Sequence, residues 1–119
     1  MSVTILYRPV GPAEMALIEA GGFRSFPPRL PEQPIVYPVM NEGYAREIAQ
    51  GWNVRESGFG AVTRFAIDTS WVSRFAVQTV GAARHQELWV PADQLELFNE
   101  HLVGPIEVIA TFTAVDQKA

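Results

Sequence analysis

Four prolines close together, Pro27, Pro28, Pro31 and Pro34, constrain the fold of this 119-residue chain more than any other feature. A proline fixes its own φ, lacks a backbone N–H and restricts the residue before it. Residues 23–34 are therefore expected to be extended and irregular. Long loops of this kind are uncommon in compact domains and often line a functional surface. The alternative is a rigid spacer that covers one sheet edge.

Short strand and helix patterns flank this loop and predict one α+β domain of about six short strands and three helices, spanning 1–119 with an ordered core at about 3–113. Before the loop, residues 3–7 predict a strand ended by Pro9, and Gly11-Pro12 predicts a helix that ends at Gly21-Gly22. After it, strands are predicted at 35–37, 61–68, 75–80, 85–90 and 106–114. One helix is predicted from Asn41 to about 51–53, followed by a loop at 55–60, and another over 92–102, with a helix stop at Gly104-Pro105. Residues 115–119 are expected to be a frayed tail.

Composition excludes several classes of function. The chain has no cysteine and only two histidines, which excludes thiolate chemistry and disfavours a metal site. The net charge of −4 disfavours nucleic acid as the main partner, because phosphate binding needs a basic face. No long apolar run and no signal-peptide pattern are present, so we expect no membrane partner and a cytoplasmic location.

The predicted strand at 85–90 opens on a carboxylate. Glu87 heads its apolar part, where a rigid sheet can fix the carboxylate and partly desolvate it, so that it stabilises a developing cation. His85 lies two residues earlier, on the same strand face, and could position a substrate hydroxyl. Trp89 shares this face and could form a cleft wall. The alternative for Glu87 is an exposed strand-end acid, and Trp52, Trp71 and Trp89 also suit a core or an interface.

Two further residues are candidates for ligand binding. Arg8 ends the first strand, where its guanidinium could bind a phosphate or a ribose. The neighbouring Tyr7 is a candidate binding residue as well. The alternative for Arg8 is a surface salt bridge. Tyr37 follows the proline-rich loop and could stack on a planar ring, or could be a tyrosine at the core edge.

The order of these elements resembles the ADP-ribosyltransferase fold. A first strand ends in Arg8, a later strand carries Tyr37, a helix begins at 41–45, and a late strand carries the Glu87-Leu88-Trp89-Val90-Pro91 stretch before the terminal strand. The chain also resembles short bacterial proteins loosely labelled "ADP-ribosylation/crystallin J1". The resemblance covers most of residues 3–113, but its motifs are short.

The resemblance implies a split, twisted β core that binds NAD, as a substrate, between its halves. It implies that Glu87 stabilises the oxocarbenium-like state, that Arg8 holds an NAD phosphate or ribose and that Tyr37 stacks on nicotinamide. Beside these three, His85 is a candidate catalytic residue next to Glu87, and Tyr7 and Trp89 are candidate NAD contacts. The expected function is ADP-ribosyl transfer or NAD hydrolysis, in an active or a degenerate site. The alternatives are a non-catalytic module of the same fold that binds a partner protein, favoured by the proline-rich loop and the tryptophans, and a homodimeric structural protein.

Overall fold

The computed structural model describes residues 2–114 and has the mixed helices and strands of an α+β domain, which confirms the predicted class. Within these residues there are seven strands rather than six. They are β1 (Val3–Val10), β2 (Ile35–Val36), β3 (Phe59–Asp68), β4 (Val77–Thr79), β5 (Gln86–Leu88), β6 (Val90–Pro91) and β7 (Leu102–Thr113). The α-helices are α1 (Pro12–Ala20), α2 (Glu42–Glu47), α3 (Val54–Ser57), α4 (Thr69–Val72) and α5 (Leu95–Glu100).

A three-stranded antiparallel sheet in the order β1-β3-β7 forms the centre of the molecule. The middle strand β3 is almost entirely buried, because other elements cover both of its faces. The register pairs Val3 with Asp68 in β3, and Phe59 with Thr113 in β7. The strands from the two ends of the chain, β1 and β7, therefore both pair with the central strand β3.

Two proline positions predicted to end elements lie inside strands instead. Pro9 lies within β1, opposite Val62. The Tyr7 N–H points away from β3 and donates to the Val39 carbonyl. Since alternate residues of a strand point their N–H groups to the same side, Pro9 also has its nitrogen on that outer edge. No hydrogen bond to β3 is lost, so the strand continues to Val10.

The predicted helix stop at Gly104-Pro105 is also part of a strand. The β3 residues Arg64 and Ala66 pair with Glu107 and Val103, so β7 carries extra residues at this point and forms a bulge. Gly104 has a φ of 83°, a conformation that favours glycine. The preceding helical region is a 3-10 turn (Ala92–Gln94) followed by α5, and it ends at Glu100 rather than at residue 102.

The central helical segment extends beyond its predicted end at 51–53. The Asn41 side chain caps it as expected, accepting a hydrogen bond of 2.7 Å from the Tyr44 N–H. A π-helical turn (Ile48–Asn53) then joins α2 to α3, and Gly58, with a φ of 78°, ends the helix. Residues 55–57 are therefore helical, because the wider turn continues the hydrogen bonding through the Gly51 region.

Val39 joins the remaining strands to the central sheet. It forms bridges with Tyr7 on one side and with Glu87 on the other. The predicted hairpin is confirmed, since β4 and β5 pair antiparallel around a turn at residues 81–84. The strand predicted at 85–90 is interrupted at Trp89, and its continuation β6 pairs with β2. The short strands are thereby held beside β1.

The core has two clusters. The larger contains Leu6, Phe65 and Phe98 and includes Trp71. The smaller contains Val39, Ala45, Ala49 and Val62 and packs the central helical segment against the sheet. Its helix and sheet backbones touch at Gly60, where a Cβ would meet the Ala49 carbonyl oxygen and would lie 2.8 Å from Asn53 Cβ.

The remaining predictions concern the proline-rich loop, membrane-spanning helices and the C-terminal tail. Residues 23–34 contain no helix or strand, as the prolines predicted. Within residues 2–114, no helix is long and apolar enough to cross a membrane. The predicted frayed tail, residues 115–119, lies outside the described residues.

Candidate functional site

A cleft of about 400 Å³ brings three of the predicted site residues together. Arg8 reaches it from β1, Tyr37 from the segment after β2, and Glu87 from β5. We call it the Arg8–Glu87 cleft, and its volume suits a small-molecule site. Its other lining residues are Pro9, Val10, Gly11, Glu14, Arg29, Gln33, Val39, Ile48, Trp52 and Asn53.

The strand pairing explains why residues so distant in sequence meet here. Val39 pairs with Tyr7 and with Glu87 at the same time, so β1 and β5 flank it. Arg8 follows Tyr7 and therefore points to the other face of β1. The Arg8 side chain on this face lines the cleft.

Arg8 is an internal ion-pair partner rather than a surface one. It is only 8% exposed, so the interpretation as a surface salt bridge is wrong. Its Nε donates to Glu14 Oε2 at 2.7 Å, and its Nη2 donates to Glu14 Oε1 at 2.9 Å. This bidentate geometry fixes the guanidinium and occupies two of its five N–H groups.

Glu87 is also buried, at 8% exposure, so the alternative of an exposed strand-end acid is wrong. Burial raises the pKa of its carboxyl group, because the charged form loses hydration. The Tyr44 hydroxyl donates to Glu87 Oε1 at 3.4 Å and partly offsets this increase. A carboxylate held by a sheet, with a perturbed pKa and in a cleft, is typical of a functional group.

Behind Glu87, a line of side chains leads to the surface. The Tyr44 ring stacks on the His85 ring, with the centroids 4.6 Å apart. His85 Nε2 lies 3.0 Å from Glu47 Oε2, and Arg84 also pairs with Glu47. Burial and the nearby Glu87 charge raise the Tyr44 pKa, so this hydroxyl stays protonated and acts as a donor.

Three predicted site residues do not line the cleft. His85 lies behind Tyr44 and reaches Glu87 only through it, although both were expected on one strand face. Tyr7 points to the opposite face of β1 and packs on the smaller core cluster. Trp89 is partly exposed at the interruption between β5 and β6, so the predicted wall is absent there.

Trp52 takes the place that was predicted for Trp89. It lines the cleft and is 54% exposed, and the Arg55 guanidinium lies over its ring, 5.5 Å from the centroid. The π-helical turn supplies all the cleft residues of the central helical segment, namely Ile48, Trp52 and Asn53. Turns of this kind often occur at functional sites. No local sequence signal distinguished Trp52 from the other tryptophans.

Sequence analysis also missed two charged residues of the cleft. Glu14 lies in the first turn of α1 and is the ion-pair partner of Arg8. Arg29 lies in the proline-rich loop, with its Nη1 3.8 Å from Glu14 Oε1. Through Arg29 and Gln33, the proline-rich loop lines the Arg8–Glu87 cleft. Arg29 also borders a second cavity of about 430 Å³ beside α5.

Comparison with known proteins adds no relationship to this geometry. The chain matches no protein-family model, no curated protein and no solved structure. The function is therefore argued from the residues of the Arg8–Glu87 cleft.

Proposed function

We propose that this protein has an ADP-ribosyltransferase-like split β core and binds NAD as a substrate for ADP-ribosyl transfer or hydrolysis. One observation carries the proposal: Arg8, Tyr37 and Glu87, chosen from the sequence for their resemblance to that fold, line one cleft. They come from three separate segments of the chain.

Glu87 is the proposed catalytic residue. Cleavage of the nicotinamide–ribose bond develops positive charge on the ribose. A fixed carboxylate in a poorly hydrated site stabilises that charge without reorganising at the moment of reaction. The burial of Glu87 and its fixation between Val39 and Gln78 supply these conditions.

The ligand would be positioned by the cleft walls. Tyr37 and Trp52 both have exposed rings that border the cleft, which suits stacking on planar heterocycles. Arg8 keeps three N–H groups beyond the two bonded to Glu14, and these suit a ribose or phosphate oxygen. The arrangement places an acid and a cation along one cleft.

Release of nicotinamide from NAD by the purified protein tests the proposal. We expect Glu87→Gln to lower the rate by about 100-fold or more, the loss typical of a removed electrostatic stabiliser. Glu56→Gln is the matched control, because Glu56 is an exposed acid outside the cleft. Absence of release by the wild type, or equal rates in the wild type and Glu87→Gln, contradicts the proposal.

A second candidate function is a non-catalytic module that binds a partner protein. It is favoured by the large apolar side chains that remain exposed near the cleft, Leu30, Tyr37 and Trp52. Aromatic side chains of this kind often anchor interfaces. This function predicts a stable complex that Trp52→Ala disrupts, and no increase of the melting temperature with NAD. A clear NAD-dependent increase favours the first function.

A further inference from the structure

Arg29, the half-buried arginine of the proline-rich loop, has hydrogen-bonding capacity that the protein leaves unused. Arg29 has a side chain only 15% exposed. Its Nη2 donates to the Ile35 carbonyl at a long 3.3 Å, and Glu14 Oε1, 3.8 Å from Nη1, lies beyond hydrogen-bond distance. Its Nε is buried and has no hydrogen-bond partner among the described residues. A guanidinium carries five donors, and here the described residues accept a hydrogen bond from Nη2 while the buried Nε has no acceptor.

Such a group is unfavourable unless an acceptor compensates for it. Leaving buried donors of a charged group without partners destabilises the folded state. Burial and the neighbouring Arg8 both lower the Arg29 pKa, which reflects the same poor hydration and crowding of cations. Glu14 bonds to Arg8 through both of its oxygens and comes only within 3.8 Å of Arg29 Nη1, so it forms an ion pair with Arg29 but no hydrogen bond.

The local charge points to an anionic ligand. The cluster of Arg8, Arg29 and Glu14 carries one net positive charge, and it lines the same cleft as Glu87. A second unsatisfied atom borders the same cleft, since Asn53 Oδ1 is buried without a partner among the described residues. Both unsatisfied side chains lie on this one cleft, where a ligand with acceptor oxygens and hydroxyl donors would pair with them.

We propose that Arg29, supported by Arg8, forms a phosphate-binding subsite, so that the cleft takes a phosphorylated ligand. The planar fork of a guanidinium matches two oxygens of a phosphate group. A diphosphate held there would lie in the cleft that Glu87 also lines. This inference deepens the proposed function and rests on it for the identity of the whole ligand, but the subsite requires only a phosphate.

Titration calorimetry with ADP-ribose, inorganic pyrophosphate and unphosphorylated ribose tests the subsite. We expect the wild type to bind ADP-ribose, and Arg29→Gln to weaken this binding by about tenfold or more. Arg29→Lys, which keeps the charge but loses the fork, is expected to show an intermediate loss. It also serves as the test should Arg29→Gln fail to fold. Pyrophosphate binding distinguishes recognition of any phosphate from recognition of a nucleotide.

The matched control is Arg24→Gln, which removes the same charge from an exposed position in the same loop. Arg24→Gln should leave the affinity for ADP-ribose unchanged. The affinity for unphosphorylated ribose should be the same in Arg29→Gln and the wild type. The subsite is contradicted by a wild type that binds neither phosphorylated probe, by equal affinities in Arg29→Gln and the wild type, or by an equal loss in Arg24→Gln.

Nicotinamide release separates this inference from the proposed function. If the wild type binds ADP-ribose through Arg29 but releases no nicotinamide from NAD, the subsite stands and the proposed reaction fails. If nicotinamide is released with the same KM for NAD in Arg29→Gln and the wild type, the reaction stands and the subsite fails.

Discussion

The Tyr44 hydroxyl lies 3.4 Å from Glu87 Oε1, although 43 positions separate the two residues in the sequence. This contact joins the central helical segment to the β-hairpin. It also connects the cleft to a surface cluster, because the Tyr44 ring stacks on His85. His85 can therefore position Glu87 only indirectly, by holding the tyrosine in place.

Tyr44→Phe is expected to raise the Glu87 pKa. The substitution keeps the ring that stacks on His85 and removes only the hydroxyl, so burial raises the Glu87 pKa without the opposing hydrogen bond. The loss of stability should not exceed about 1 kcal/mol, because the hydrogen bond is long. NMR titration of the Glu87 side-chain carboxyl carbon measures the shift. Tyr37→Phe, in the same cleft, should leave it unchanged, and an unchanged pKa in Tyr44→Phe would refute the prediction.

Glu87→Gln is expected to stabilise the protein at neutral pH. The folded-state pKa of Glu87 is raised above its unfolded value, so the folded state favours the neutral acid. The resulting stability is present below the unfolded pKa and is lost as the pH rises through the folded pKa. A neutral glutamine avoids that loss, so the variant should be more stable than the wild type at pH 7.

The pH dependence provides the check. Urea unfolding at pH 7 and at pH 3.5 should show the advantage of Glu87→Gln at the higher pH and its disappearance at the lower. Glu56→Gln should show no such pattern. An advantage that persists unchanged at pH 3.5 would mean that the effect does not arise from ionisation of Glu87.

Gly60→Ala is expected to destabilise the protein by about 1 to 3 kcal/mol, the usual effect of forcing an extra group into a packed site. The new Cβ would meet the rigid Ala49 carbonyl and would lie 2.8 Å from Asn53 Cβ. Gly51→Ala is the control within the helical segment, since nothing lies within 4 Å of the new methyl group. It should be neutral or stabilising by up to about 1 kcal/mol. Chemical denaturation compares the two, and equal stabilities would rule out the close approach.

Glu14→Gln is expected to destabilise the protein by about 2 to 3 kcal/mol, because it leaves the buried Arg8 guanidinium without its charged partner. Glu107→Gln breaks the exposed pair with Arg64 and should lose less than about 1 kcal/mol. Denaturant unfolding of both variants measures the difference. Glu14→Gln should also bind pyrophosphate more tightly than the wild type, since both arginines are then free to bind it. Weaker binding would argue against a cationic subsite.

Local elements were predictable from the sequence because neighbouring residues determine them. The bounds of α1, the Asn41 cap, the hairpin at residues 77–88 and the irregular loop at 23–34 all follow from short patterns. Glu87 was a candidate because a sheet can fix and partly desolvate an acid at the head of an apolar strand. These features depend on backbone preferences that act within a few residues.

The tertiary structure decided which side chains share the cleft. Pro9 is tolerated in β1 because its nitrogen lies on the outer strand edge, which depends on how distant strands pair. Trp52 rather than Trp89 borders the cleft, because the π-helical turn brings it there. Glu14 and Arg29 join Arg8 across a loop whose path no local pattern specifies. The sequence by itself determined many local elements and singled out Glu87, because both depend on neighbouring residues, whereas long-range packing around Val39 decided which charges meet.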